Sequence, residues 1–351
     1  MGGRVANWSR NGHDRKADGG PTLQCQEKGP RCAAPMSDTR GAPGAPILAS
    51  NPVVSVIVAT SRGGEFLRFA LDSLRKQSFA DFEAVIVDDG SPQPEEIDLL
   101  AAALDRVQVI HQQRSGSAIS RNVALARARG EFVAFLDDDD LIEPQKLERQ
   151  VAELRAHPRA VGCHTQFRLI DAAGDSIGIG NASAFDVHTL MRGESRALCA
   201  TLLVRRSTID RCGRFSSNFP LAEDLDLLYR LAREGELRFI PDPLYSYRRH
   251  ESNLTNQVTM SINASMRALE LQQNWARMAS DEVMRRDVKV GLKNAKRHWI
   301  ATSQAAALAC ARHGEWKRAL DLGAISFRLD LVGAVTNAAR KAIKMLGALK
   351  P

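Results

Sequence analysis

The chain has 351 residues, 44% of them hydrophobic and 25% charged, which suits a globular protein with enough length for one large or two ordinary domains. No apolar run approaches the roughly 20 residues that span a bilayer, and no leader-like apolar segment opens the sequence, so neither a span nor a signal peptide is expected. The net charge of +7 is uneven: residues 261–351 hold 16 Lys/Arg against 7 Asp/Glu, the first fifty hold 7 against 4, and the middle holds 25 against 30. A basic nucleic-acid surface over the middle of the chain is thereby excluded.

Residues 1–50 are rich in Gly, Pro, Ala and polar side chains without periodicity, the composition of a disordered extension; Met36 is a candidate start. The six cysteines (25, 32, 163, 199, 212, 310) form no CxxC pair, so reduced cytosolic thiols are expected rather than a zinc site. From Val53 the pattern becomes regular. VVSVIVAT (53–60) is a β-branched run suited to a strand buried on both faces. GEFLRFALDSLRKQS (64–78) sets Leu67, Ala70, Leu71 and Leu74 on one helical face. FEAVIVDDGS (82–91) predicts a strand ending in two Asp and a Gly turn, followed by a helix near 95–104 and a short strand at 106–112. SGSAISRNVALARARG (115–130) predicts loop plus helix, and EFVAFLDDDD (131–140) the next strand. Alternating strand and helix argue an open, mostly parallel α/β sheet, in which ligands bind beyond the carboxyl ends of the strands. A helix at 145–156 precedes less regular sequence from 160 to 200. DLDLLYRLAREG then carries a Leu225, Leu228, Leu231 stripe with Glu223–Asp224 at its start, and from about 261 the pattern is helical throughout.

The four aspartates at 137–140 pose an electrostatic problem. Two unit charges about 4 Å apart repel by about 1 kcal/mol in water and about 4 kcal/mol at an effective dielectric of about 20. A solvated turn could hold the run, but its place at the rim of a sheet, beside a second strand ending in Asp88–Asp89, points to a cation. With no Lys or Arg nearby in sequence, a hard divalent ion shared with a diphosphate is the expected partner. Glu223–Asp224 at a helix start has the plain alternative of a cap stabilised by the helix dipole.

The motifs VDDGS, SRNVALARARGEFVAFLDDDD, LAEDLDLLYRLA and YRRH, in this order across Val53–Asn253, resemble a family 2 glycosyltransferase of the GT-A fold. The resemblance implies a GT-A (Rossmann-like) domain over 51–255, with 51–160 binding the nucleotide-sugar and 161–255 forming the acceptor side, followed by a basic helical region over 256–351. By the same resemblance Asp139 is a metal ligand, Asp137 serves ribose or metal, and Asp138 belongs to the same DxD motif. His250 is a further metal or diphosphate contact, and Arg248 and Arg249 could meet phosphate. Thr60, Asp88 and Asp89 lie against the base, and Arg121 pairs with Asp89 or a phosphate. Asp224 is the general base. The resemblance further implies Mn²⁺ or Mg²⁺ as cofactor and single-step inversion. A nucleotide-diphospho-sugar donor, a glycan or lipid-linked acceptor and a cytoplasmic setting in cell-surface polysaccharide synthesis complete what it implies.

One departure stands at the first strand's end. The family often reads Pro-Thr-Tyr-Asn there, whereas this chain reads Ala59-Thr60-Ser61-Arg62, so no aromatic stacks on the base and its identity stays open, uridine being the family's commonest. A nucleotidyltransferase would need a stronger phosphate loop than SRGGE and has no place for the Glu-Asp helix. A non-catalytic relative would have lost the DxD run or the base. The basic tail has three readings: a helical cap, an amphipathic element on the inner face of the membrane, or a partner contact. Trp299 and Trp316 are expected to pack its helices.

Overall fold

In the computed structural model the described residues are 51–219, 221–251, 253 and 258–329. The expected disordered extension at 1–50 and the end of the basic tail from 330 onward lie outside them. The elements are, in order, β1 (Val54–Thr60), α1 (Glu65–Arg75), β2 (Phe82–Asp89), α2 (Pro94–Ala101), β3 (Val107–Gln112), α3 (Ser117–Arg127), β4 (Phe132–Asp137), β5 (Leu141–Ile142), α4 (Lys146–Ala156), β6 (Gly162–Ile170), β7 (Ser176–Ile179), α5 (Val187–Met191), β8 (Leu203–Arg205), α6 (Arg206–Arg211), α7 (Glu223–Glu234), β9 (Leu237–Arg248), α8 (Val258–Met278), α9 (Glu282–Arg312) and α10 (Trp316–Leu329).

One nine-stranded sheet runs in the order β3-β2-β1-β4-β8-β6-β9-β5, with β7 paired to β6. The first four strands are parallel, as their apolar runs and intervening helices require. Parallel pairing is then broken: β8 lies antiparallel to both β4 and β6, and β9 returns parallel to β6. The sheet is therefore mixed, its parallel half carrying the first three strand ends. Strand β6, at the centre of the second half, falls in the stretch read from sequence as irregular. Its run GCHTQFRLI places His164 and Thr165 at 0% exposure, so polar residues occupy core positions and hide the strand pattern.

Parallel pairing aligns the strand ends that matter. Thr60 pairs in register with Asp88, and Ala59 with Asp137. The carboxylates at 88, 89 and 137–139 therefore emerge along one rim, fixed by apolar strands beneath. Val54, Val56, Val58, Ala84, Ile86, Phe132, Ala134 and Leu136 pack on one sheet face with the Leu67–Leu71–Leu74 stripe of α1. Ile57, Val85, Val87, Val133 and Phe135 pack on the other with Leu227, Leu228 and Leu231 of α7.

The C-terminal helices dock on this body. Asp287 of α9 meets His188 (2.7 Å) and Arg192 (3.1 Å) at α5, and the Asn294 amide donates to the Arg192 carbonyl (2.9 Å). Arg233 of α7 donates to Gln272 of α8 (2.7 Å) and lies 4.0 Å over the Trp275 ring. Through these contacts α8 and the first half of α9 pack on α5 and α7. Trp316 departs from expectation: 66% of it is exposed at the start of α10. No described helix is long and apolar enough to cross a membrane.

Gly291 makes the α5–α9 seam possible, because a Cβ there would stand 2.0 Å from the Met191 carbonyl oxygen. Gly291→Ala should cost about 1–3 kcal/mol through forced separation of the two elements. The expected outcome is a lower denaturation midpoint with earlier proteolysis of the C-terminal helices.

Candidate active site

At the β4 end three of the four aspartates, Asp137, Asp138 and Asp139, meet cations of the protein itself. Arg62, on the β1–α1 loop, donates to Asp139 Oδ2 (2.8 Å) and reaches Asp138 Oδ1 (3.4 Å). The Thr60 hydroxyl lies 2.6 Å from Asp138 Oδ2. Arg121 of α3 donates through Nη2 to Asp137 Oδ1 (2.8 Å) and through Nη1 to Glu223 Oε1 (2.7 Å). The expectation that no basic residue stands near the run is thus corrected: linear sequence hides cations that parallel topology brings to the same rim. Burial and then the Asp139 charge push the Asp138 carboxyl up to about 6, against the pull of Arg62 and Thr60.

Asp140 differs from its three neighbours. It is fully buried, accepting from the Tyr245 hydroxyl (2.7 Å) and the Arg248 backbone N–H (2.7 Å) of β9, and burial holds its carboxyl well above the usual range. It anchors β9 to the run. Arg248 is only 1% exposed; it donates to the carbonyls of Asp139 (2.8 Å), Asp171 (3.2 Å) and Ala172 (3.0 Å), and stacks 5.0 Å from the Phe66 ring. That corrects the reading of Arg248 as a phosphate contact, because its guanidinium is spent on backbone oxygens below the surface. Arg249 is exposed.

His250 stacks on Phe66 with centroids 4.9 Å apart, its Nε2 3.0 Å from Asp139 Oδ2. A carboxylate oxygen and an imidazole nitrogen so placed are a donor pair acceptable to a first-row divalent ion. Asp137 commits Oδ1 to Arg121 instead, and no group of three or more His, Cys, Asp or Glu side chains stands ready for a metal among the described residues. Two donors completed by substrate phosphate is a normal arrangement for such ions, so the residues present fit the metal.

Asp89 and Asp88 stand further along the rim. Asp89 accepts from Gln112 Nε2 (2.8 Å), the Ser115 N–H (2.7 Å) and hydroxyl (2.9 Å), and the Gly116 N–H (2.8 Å). It thereby fixes the loop that leads into α3, and with it Arg121. Asp88 accepts from the Ser91 N–H (2.8 Å) and lies 2.9 Å from His111 Nδ1, a contact that raises the His111 pKa. Arg121 therefore meets Asp137 and Glu223, while Asp89, one of the two partners expected for it alongside a phosphate, is engaged by Gln112 and the β3–α3 loop.

At the start of α7, Glu223 also receives a hydrogen bond from the Ser117 hydroxyl. Ala222, the residue before α7, is left-handed at φ 64, a conformation that costs a non-Gly residue about 1 kcal/mol or more and is tolerated mostly at functional sites. It turns the chain so that α7 begins with its carboxylates facing α3. Asp224 accepts from the Leu225 N–H (2.7 Å). Burial and then the charge of Glu223 push its carboxyl up to about 6, while Arg121 pulls the other way.

The family model of glycosyl transferase family 2 matches residues 55–175, the span from β1 to the β6–β7 turn. EpsH of Bacillus subtilis, named as a glycosyltransferase, is 30% identical over 242 residues, 62% of this chain and 67% of that protein. The chain belongs to glycosyl transferase family 2. As a family 2 glycosyltransferase it also resembles an uncharacterized glycosyltransferase of Rickettsia felis, 26% identical over 59% of this chain but only 36% of that longer protein. Among solved structures, S. aureus TarS 1–349 in complex with UDP-GlcNAc aligns with a TM-score of 0.58 at 21% identity, over 79% of this chain and 83% of that one. A mannosyltransferase of Pyrobaculum calidifontis in complex with GDP-Man and Mn²⁺ aligns at 0.51 and 19%, over 88% and 84%. Both likenesses show the GT-A fold.

Arg62 and Glu223 are the members of this candidate site that sequence reasoning left without a role. Arg62 reaches the run through strand register: Ala59 pairs with Asp137, and Arg62 follows three residues later on the adjoining loop. Asp89 generates a prediction. Burial alone would raise its pKa, yet the hydrogen bonds from Gln112, Gly116 and Ser115 bring it down to about 2. A depressed carboxylate stabilises the fold above the unfolded pKa and loses that contribution as pH falls from about 4 to 2. Asp89→Asn should lower stability at pH 7 by about 1–2 kcal/mol and flatten the acid limb of denaturation over that window, followed by circular dichroism.

Proposed function

We propose that this glycosyltransferase is inverting and metal-assisted, moving a sugar from a nucleotide-diphospho-sugar, uridine-linked by family habit, to a hydroxyl of a glycan or lipid-linked acceptor. The observation that carries the reading is the continuous chain Asp137–Arg121–Glu223–Asp224. It holds the rim expected to face the diphosphate and the carboxylate expected to face the acceptor in one fixed frame. The neighbours' complexes with UDP-GlcNAc and GDP-Man support a nucleotide-sugar donor, and the Mn²⁺ of the second supports a divalent ion.

Asp224 is the base of this scheme. An acceptor hydroxyl is a weak nucleophile, and a carboxylate within hydrogen-bond reach takes its proton as the new C–O bond forms. The bond from the anomeric carbon to the diphosphate breaks as the new bond forms on the opposite face, so configuration inverts in one displacement. Asp139 and His250, with Asp137 beside them, would hold the divalent ion, which when bound offsets charge on the leaving diphosphate. Thr60, Asp88 and Asp89 border the place assigned to the nucleoside base. Arg121 keeps Asp137 and Glu223 at fixed separation, and Asp138 shares its charge with Arg62 and Thr60. A nucleotide-binding relative without activity is the second reading, disfavoured because the acidic run and Asp224 are both present.

A panel of nucleotide-sugars with Mn²⁺ or Mg²⁺, read by thermal shift and by nucleoside-diphosphate release, tests the donor. Asp224→Asn should retain donor binding and lose transfer by about 10²–10⁴-fold, whereas Asp139→Ala should lose metal-supported donor binding. Normal transfer by Asp224→Asn would remove the base assignment. A base must be unprotonated, so kcat/KM should rise with pH through a midpoint near 6 and level above it. The same raised pKa means that the folded chain holds this proton more tightly than the unfolded chain. Asp224 therefore weakens the fold as pH rises from about 4 to 6, and at pH 7 Asp224→Asn should raise the denaturation midpoint.

A further inference from the structure

We infer that Arg62 is a resident counter-cation of the DxD run: it stands in for the divalent ion while the donor is absent, and yields to it when metal and diphosphate arrive. The inference rests on the metal-assisted reading above. Its own ground is the placement of the guanidinium, 2.8 Å from Asp139 Oδ2 and 3.4 Å from Asp138 Oδ1. Asp139 Oδ2 is the same oxygen that faces His250 Nε2 at 3.0 Å. A cation at His250 and Asp139 and a guanidinium on Asp139 Oδ2 would compete for one oxygen.

Charge makes the competition strong. With Arg121 shared between Asp137 and Glu223, and Arg62 on Asp138 and Asp139, two guanidinium groups already offset part of the rim's negative charge. Adding a doubly charged ion while Arg62 stays would place like charges a few ångströms apart, a repulsion of several kcal/mol at a protein-like dielectric. Arg62 has the means to leave. Its side chain is 39% exposed, whereas Arg121 and Arg248, the other guanidinium groups on the run, are 16% exposed and buried respectively. Its loop continues as Gly63–Gly64, the second glycine at φ 90, where an L side chain would be strained. When a pyrophosphate brings new negative charge to the rim, the released guanidinium has a bidentate partner of matching geometry.

The test titrates Mn²⁺ alone into the donor-free full chain, reading free Mn²⁺ by electron paramagnetic resonance, for wild type, Arg62→Gln, Arg62→Lys and Asp139→Asn. Arg62→Gln should bind Mn²⁺ about tenfold more tightly than wild type, Arg62→Lys should fall close to wild type because the charge is kept, and Asp139→Asn should bind most weakly. Inorganic pyrophosphate should then tighten Mn²⁺ binding more in wild type than in Arg62→Gln, since only wild type has the guanidinium to transfer. Equal Mn²⁺ affinity in wild type and Arg62→Gln, with Asp139→Asn weakened, would overturn the inference and leave the metal reading intact. Equal affinity in all four chains would remove both. Circular dichroism of Arg62→Gln and Arg62→Lys, each matching wild type, separates either result from misfolding.

Discussion

The buried guanidinium of Arg121 is the tie on which the site's geometry depends. It comes from α3, takes Asp137 from β4 with one nitrogen and Glu223 from α7 with the other, and lies 5.4 Å from the Phe215 ring. Burial works against its charge, but the carboxylates of Asp137 and Glu223 more than offset that and hold its pKa above the ordinary value. Removing one partner of such a group leaves an uncompensated charge at a cost of about 3–5 kcal/mol, far more than an exposed pair is worth. The arrangement is best understood as a device for registry. Two acidic segments about ninety residues apart in sequence are held at the width of one planar fork.

Around that tie the carboxylates divide by the work that their surroundings allow. Asp89 and Asp140 are saturated by donors and hold loop and strand in place. Asp138 and Asp224 are crowded and partly desolvated, so their protons leave near pH 6 rather than near 4. Similar chemistry at these four positions thus produces anchors and titratable groups side by side, with burial and donor count deciding which is which.

Legibility from sequence followed the same division. Strands β1, β2 and β4 were readable because parallel strands buried on both faces must be continuous apolar runs, and the Leu67–Leu74 stripe was readable because only a helix repeats at that spacing. Strand β6 was not, because His164, Thr165 and Gln166 interrupt the pattern where the core accepts them: His164 packs between Phe185 and Phe239, both at 4.9 Å. Membership of the family and the set of acidic residues could be read from motifs. Which cation meets which carboxylate could not, since Arg62 and Asp139 are 77 positions apart and only sheet register joins them. Trp316 illustrates the opposite error, in which an aromatic residue on a helical pattern was credited with burial it does not have.

A run of four identical residues has an ambiguity that ordinary sequence lacks, because sliding it by one place leaves its composition unchanged. Asp140 abolishes that freedom. Its carboxylate is enclosed by Tyr245 and the Arg248 backbone, and only the last member of the run can enter that enclosure while β4 keeps its pairing with β1. Lengthening the tract by a single aspartate, as a slipped codon repeat would do, would set the enclosed anchor against the strand ladder. Degeneracy at the level of the gene is thereby converted into a unique spatial assignment for each member of the tract.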